Sequence, residues 1–187
     1  MINYTTATTQ KQLEEILLLQ KENLAAEVSK EKLQSQGFVT VNHSYAQLRK
    51  LNDIEKHIIA LDDDKVIGYV LAMTKQSKFE LPILILMFDI FSILIYENKI
   101  ITDYNFIVVG QVCISKNYRG KGIFNECYEQ YKNYYKAKYD FAITEIASTN
   151  LRSLSAHKKI GFEVIHTYES LTKITWIIVL WDWRKGE

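Results

Sequence analysis

Hydrophobic and polar residues alternate weakly over positions 2–7, the period of a strand, and the period lengthens after Thr9. Thr9 and Gln12 form a capping-box pattern ahead of Leu13, Ile16, Leu17 and Leu24, which recur at helical spacing. Ser44 and Gln47 repeat that pattern ahead of Leu48 and Leu51 and predict a second, shorter helix. Residues 57–61 and 65–73 are strand-like apolar runs separated by Asp62, Asp63 and Asp64, a hairpin-turn composition. Three adjacent aspartates also suit a metal, but the glycine and glutamate of a calcium loop do not follow at the required positions, so the turn is the expectation. Residues 106–115 form a nearly continuous apolar run, as in a central strand covered on both faces, with Gly110 as a bulge or a point of close approach. Phe124, Cys127, Tyr128, Tyr131 and Tyr135 recur every three or four residues and predict an amphipathic helix with an aromatic core stripe. A strand over 141–147, a helix from Asn150 to the cap at Gly161, and strands over 162–168 and 174–183 complete the chain.

Of the 187 residues, 48% are hydrophobic and 24% charged, enough for one packed core. No repeat, linker or charge block marks a seam, so one domain over 1–187 is expected. Lys plus Arg number 23 against 22 Asp plus Glu, a balance that supplies no global field for nucleic acid or an anionic membrane. Cys113 and Cys127 are too few for a disulfide framework and too far apart for a CxxC site, so free thiols in a reducing compartment are expected. The first residues carry no basic stretch followed by an apolar run, and a cytoplasmic location follows as an expectation. Residues 81–96 are almost wholly apolar, yet they include Pro82 and Asp89 and fall short of the roughly 20 residues of a membrane span. A buried helix or strand pair is expected there.

One loop concentrates the chemistry. Residues 116–124 read Lys-Asn-Tyr-Arg-Gly-Lys-Gly-Ile-Phe between the central strand and its helix. Free amide hydrogens at a helix start, the positive end of its dipole and glycines that admit close approach all favour an anion. Lys116, Arg119 and Lys121 add charge with no acidic residue among them, and Arg152, Lys158 and Lys159 repeat the bias within 146–162. Two helix starts facing one polyanion, or a solvated basic surface, both fit this pattern. The Walker spacing is absent, and Asn125 stands where a dinucleotide-binding fold needs a third glycine.

Val112-Cys113-Ile114 followed by Arg119-Gly120-Lys121-Gly122-Ile123 resembles the acyl-CoA-binding motif of the GNAT superfamily of N-acetyltransferases, in strand, loop and helix order. Asn150-Leu151-Arg152-Ser153 with His157, Lys159, Gly161 and Phe162 resembles that family's second block. The two motifs cover 106–162, and the flanking strands extend the resemblance loosely to 57–183. It implies an α+β fold: a mixed, mostly antiparallel sheet of about seven strands flanked by helices, with two strands splayed around the acyl-CoA site.

The resemblance further implies acetyl-CoA as the cofactor, transfer to a primary amine by direct attack, and a monomer or homodimer. Val112, Cys113 and Ile114 would bind the pantetheine arm, and an N–H near Val112 would polarise the thioester carbonyl. Arg119, Gly120, Lys121, Gly122, Ile123 and Phe124 would wrap the diphosphate, with Asn150 and Ser153 on the other side. His157 occupies the place of the family's tyrosine acid and is the expected proton donor to the thiolate. Glu145 is the only carboxylate in its strand and the expected base. Cys113 is read as lining rather than as a nucleophile. Phe124 and His157 depart from the family pattern and keep a second expectation open, an acyl-CoA-binding sensor with little transfer. The connection 74–105 would form an acceptor wall, a dimer surface or simply core. Small amines, antibiotics, peptides and proteins all remain open as acceptors, as does acyl chain length.

Overall fold

The structure is a computed structural model that describes residues 1–24, 37–81 and 84–185. Its strands are β1 (Ile2–Thr6), β2 (Ile58–Asp62), β3 (Lys65–Met73), β4 (Ile95–Tyr96), β5 (Lys99–Ile100), β6 (Phe106–Ile114), β7 (Phe141–Ala147), β8 (Glu163–Glu169) and β9 (Thr175–Asp182). The α-helices among the described residues are α1 (Gln10–Lys21), α2 (Tyr45–Ile54), α3 (Ile85–Phe91), α4 (Ile123–Tyr135) and α5 (Leu151–Ile160). Seven strands form one sheet in the order β1-β2-β3-β6-β7-β9-β8, and β4 and β5 form a separate two-stranded sheet. Every pairing in the large sheet is antiparallel except β6 with β7.

Both capping boxes form: the Thr9 side chain accepts from the Gln12 amide and the Ser44 side chain from the Gln47 amide, and each glutamine reaches back to its cap. The first helix stops at Lys21, so Leu24 lies beyond it and bridges Val39 in parallel. The 81–96 run contains the short helix α3 and the first strand of the β4–β5 hairpin, while Pro82 lies outside the described residues. No helix among the described residues is long and apolar enough to cross a membrane.

Apolar side chains cover both faces of the sheet. On one face the α4 stripe of Cys127, Tyr128, Tyr131 and Tyr135 packs on Val70, Ile107, Ala142 and Val179. On the other, α3 lies over Phe106, Val108, Ile143 and Ile178, and α1 and α2 over Ile59, Tyr69 and Leu71. Gly110 is the extra residue in β6, because Leu71 pairs with Gln111 and Ala72 with Val109. A side chain at Gly110 would meet the Met73 sulfur at 2.2 Å, so the bulge is also a close approach.

Three histidines are locked in the neutral form by burial and by their partners. His57 takes the Ala72 amide at Nδ1 and contacts the Leu48 carbonyl through Nε2, and burial lowers its pKa to about 3. His43 is held by Gln20 and lowered to about 4, and His157 is likewise lowered to about 4. Burial raises Glu145 to about 7, which has the opposite sign. The unfolded histidines take up protons near pH 6.5 and the folded ones do not, so their stabilisation is complete above 6.5 and is lost towards 4. The Glu145 contribution grows as pH falls from 7 to 4.5, but it is one group against three. We expect the melting temperature to fall by about 5 °C or more between pH 7 and pH 5; a scan that is flat or rising over that interval would contradict this balance.

Candidate functional site

The site begins where β6 and β7 part. Their parallel pairing runs through only three positions, Phe106 with Phe141, Ile107 with Ala142 and Val108 with Ile143. The Thr144 hydroxyl donates to the Val109 carbonyl at 2.7 Å and marks the apex of the split. Beyond it, residues 110–114 of β6 are not paired with β7, so main-chain polar groups on that side, the Arg119-bound Ile114 carbonyl apart, face the split. A gap of about 70 Å³ follows, lined by Gly110, Gln111, Val112, Glu145, Ile146 and Trp176, among others.

This gap adjoins a larger cleft of about 520 Å³. The two share Phe38, Val112, Asn150 and Ser153 as lining residues. The cleft wall is the start of α4, whose cap residue Gly122 has φ 81° and no side-chain cap bond. Gly120 has φ 76°, and an added Cβ at either glycine would meet nothing within 4 Å. Glycine is therefore required there by backbone conformation, and the space above the loop is open. The first-turn amides of Ile123, Phe124 and Asn125 precede any intrahelical partner, and all three residues line the cleft.

Opposite stands the start of α5. Asn150 caps it by accepting from the Ser153 amide at 3.4 Å, and its amide nitrogen donates to the Phe38 carbonyl at 2.9 Å. Asn150 thus fixes the helix start and the segment crossing the gap at once. Arg152, Ser153 and Lys159 line this side of the cleft.

Arg119 braces the floor. Its Nε donates to the Ile114 carbonyl at 3.0 Å and its Nη2 to Asn23 Oδ1 at 2.5 Å, tying the loop to the end of α1. The Tyr118 hydroxyl donates to Asp62 at 2.7 Å and ties the same loop to the β2–β3 hairpin. Lys121 lies 5.2 Å above the Tyr118 ring, and its side chain is not part of the cleft lining. Lys116 and Lys158 also lie outside that lining, whereas Val112, Cys113, Ile114, Arg119, Gly120, Gly122, Ile123 and Phe124 are all within it. Burial pushes the Cys113 thiol up to about 12, which suppresses the thiolate.

The two departures from the family pattern pack together. Phe124 turns its ring onto Tyr128 and His157, with centroids at 5.0 and 5.4 Å, so a bulky residue is accommodated while its amide stays at the cleft. His157 is 2% exposed. Its Nδ1 lies 2.8 Å from the Ser153 carbonyl and must carry the hydrogen, which leaves Nε2 to accept from Tyr128 at 2.6 Å.

Glu145 faces the gap, half-buried, and its carboxyl is raised to about 7 by desolvation against the lowering effect of a hydrogen bond from Tyr168 at 2.5 Å. The sequence reading missed Tyr168, Thr144 and Trp176 around Glu145, and Asn23, Gly37 and Phe38 around the cleft. Only the order β7-β9-β8 brings Tyr168 to Glu145, and no local pattern reports it.

Residues 18–162 match the model of the Acetyltransferase (GNAT) family. A comparison with curated proteins returns no match. Among solved structures, a GNAT-family acetyltransferase from Streptococcus agalactiae superposes with a TM-score of 0.67 at 11% identity, over 100% of this chain and 96% of that one. The ribosomal-protein-S18-alanine N-acetyltransferase from Escherichia coli does so with a TM-score of 0.62 at 10% identity, over 97% and 94%. The NatC complex bound to Gag peptide and CoA gives 0.64 at 16% identity, over 97% and 98%. At such identities the superpositions establish the fold, and together with the family match over most of the sequence they place this chain in the GNAT acetyltransferase family.

Proposed function

We propose that the chain transfers an acetyl group from acetyl-CoA to a primary amine by direct attack, with both substrates bound at once. The observation that carries this reading is the junction of a cationic cleft, built on two helix starts, with a gap holding a carboxyl group whose pKa is near 7. The residues fit the cofactor: open space above Gly120 and Gly122, uncapped amides at α4 and lining cations suit a diphosphate. Acetyl-CoA supplies the activated acyl group.

The residues then divide the work. Gly122, Ile123, Phe124 and Asn125 offer amides to the diphosphate, and Arg152 and Lys159 face it across the cleft. Val112, Cys113 and Ile114 present the stretch of β6 that has left β7 to the pantetheine arm, and an amide on that side stabilises charge developing on the thioester oxygen. Glu145 accepts the proton that the amine must lose, and a carboxylate near pKa 7 is a stronger base than an ordinary one. His157 takes a holding role in place of the expected donor role: it is neutral, its one hydrogen is committed to Ser153 and its other nitrogen to Tyr128. The departing thiolate leaves into the open cleft, where solvent protonates it. A sensor without transfer is not favoured, because such a domain has no need of Glu145 in this setting.

Acetyl-CoA should raise the melting temperature of the wild type, and Gly122→Val, which forces a branched side chain into a positive φ, should weaken binding at least about tenfold by calorimetry. Unaltered binding would remove the α4 start from the site. Since the base must be ionised, kcat/KM should rise with pH to a plateau above about 7, and Glu145→Gln should abolish that limb and lower the plateau about a hundredfold; an unchanged profile would dismiss Glu145. His157→Ala should cost about 2–4 kcal/mol of stability in urea unfolding, since it leaves a void and an unpaired Tyr128 hydroxyl, while leaving the shape of the pH profile intact. Loss of a basic limb in that variant would restore His157 as the acid.

A further inference from the structure

The gap and the sheet surface beside it narrow the class of acceptor. The gap is a side arm of the larger cleft, which it joins along Phe38, Val112, Asn150 and Ser153. Among the described residues lining the gap there is no Lys or Arg, and the one carboxylate is Glu145. A carboxylate next to the amine would therefore be buried beside Glu145 with no cation to pair it.

Next to the gap lies an aromatic ledge. Glu145 pairs with Ile178, Ala147 with Trp176, and Trp176 in turn with Tyr168, so these side chains share one face of the sheet. The His166 ring stacks on Tyr168 with centroids 6.4 Å apart and 19° between planes. Trp176, Tyr168 and His166 are all partly exposed, and Trp176 also lines the gap. The ledge offers a flat π surface continuous with the carboxylate that would take the amine's proton. A second ammonium group finds less support: Glu145 is already bonded to Tyr168, and Glu169 is paired with Lys173 at 3.0 Å.

From this arrangement we infer that the acceptor is an arylalkylamine, a primary amine joined through an alkyl linker to an aromatic ring, with no carboxylate beside the nitrogen. The inference rests on the transferase reading above and specifies its acceptor. The linker and amine enter the gap towards Glu145, and the ring lies on Trp176 and Tyr168.

The test is thiol release from acetyl-CoA by the full chain with tryptamine, tryptophan, n-butylamine, spermidine and a peptide with a free N-terminus. Tryptamine should exceed each of the others in kcat/KM by about tenfold or more. Tryptamine and tryptophan differ only in the carboxylate, and tryptamine and butylamine test the ring. Trp176→Ala should bring the tryptamine-to-butylamine ratio close to one, and Trp176→Phe should retain most of it. Equal rates for tryptophan and tryptamine, or faster transfer to spermidine or the peptide, would overturn the acceptor class and leave the transferase standing. Acetyl-CoA binding with no thiol release to any amine would overturn both.

Discussion

The site depends on a failure of pairing. β6 and β7 are parallel neighbours for three residues and then separate, and every feature of the cleft follows from that separation. A complete β6–β7 ladder would satisfy the main chain of Val112–Ile114 and leave no route between the two faces of the sheet. Gly110 bulges β6 where the strands part, and the close approach of Met73 allows no side chain there. Thr144 closes the apex with one hydrogen bond to Val109. The split is thus fixed at one end by ladder bonds and at the other by two helix starts.

Those helix starts are held by polar side chains already committed to structure. Asn150 caps α5 and grips the Phe38 carbonyl, and Arg119 bonds Ile114 and Asn23. Their charge and polarity shape the cleft, while main-chain amides at the α4 start line one side of it and Arg152 and Lys159 the other. On the opposite face, Glu145 sits where the cover of α3 gives way to the β8–β9 ledge. Partial burial is what lifts its pKa towards neutrality.

Much of this was legible in the sequence because its determinants are local. Capping boxes, the Tyr128-Tyr131-Tyr135 stripe, the apolar run of β6 and the glycines at 120 and 122 each signal through neighbours within a turn or a strand. What local pattern could not report was the partner of each polar side chain. Lys121 reads as a phosphate-loop cation, and its side chain lies over Tyr118; His157 reads as a proton donor, and its ring is enclosed by Tyr128, Phe124 and Phe162. Tyr168 and Trp176 reach Glu145 only through the β7-β9-β8 order, which is a property of the whole sheet. The apolar segment over 81–96 carried no periodicity that would separate helix from strand, and it contains both α3 and β4.

The central claim is that the α4 start and the unpaired part of β6 receive acyl-CoA. Its most direct test is a titration of the isotopically labelled protein with CoA, followed by amide chemical shifts. The largest changes should fall on Gly120–Asn125 and Val112–Ile114, with smaller ones at Arg152 and Ser153. Shifts confined to other surfaces, or none at millimolar CoA, would contradict the account.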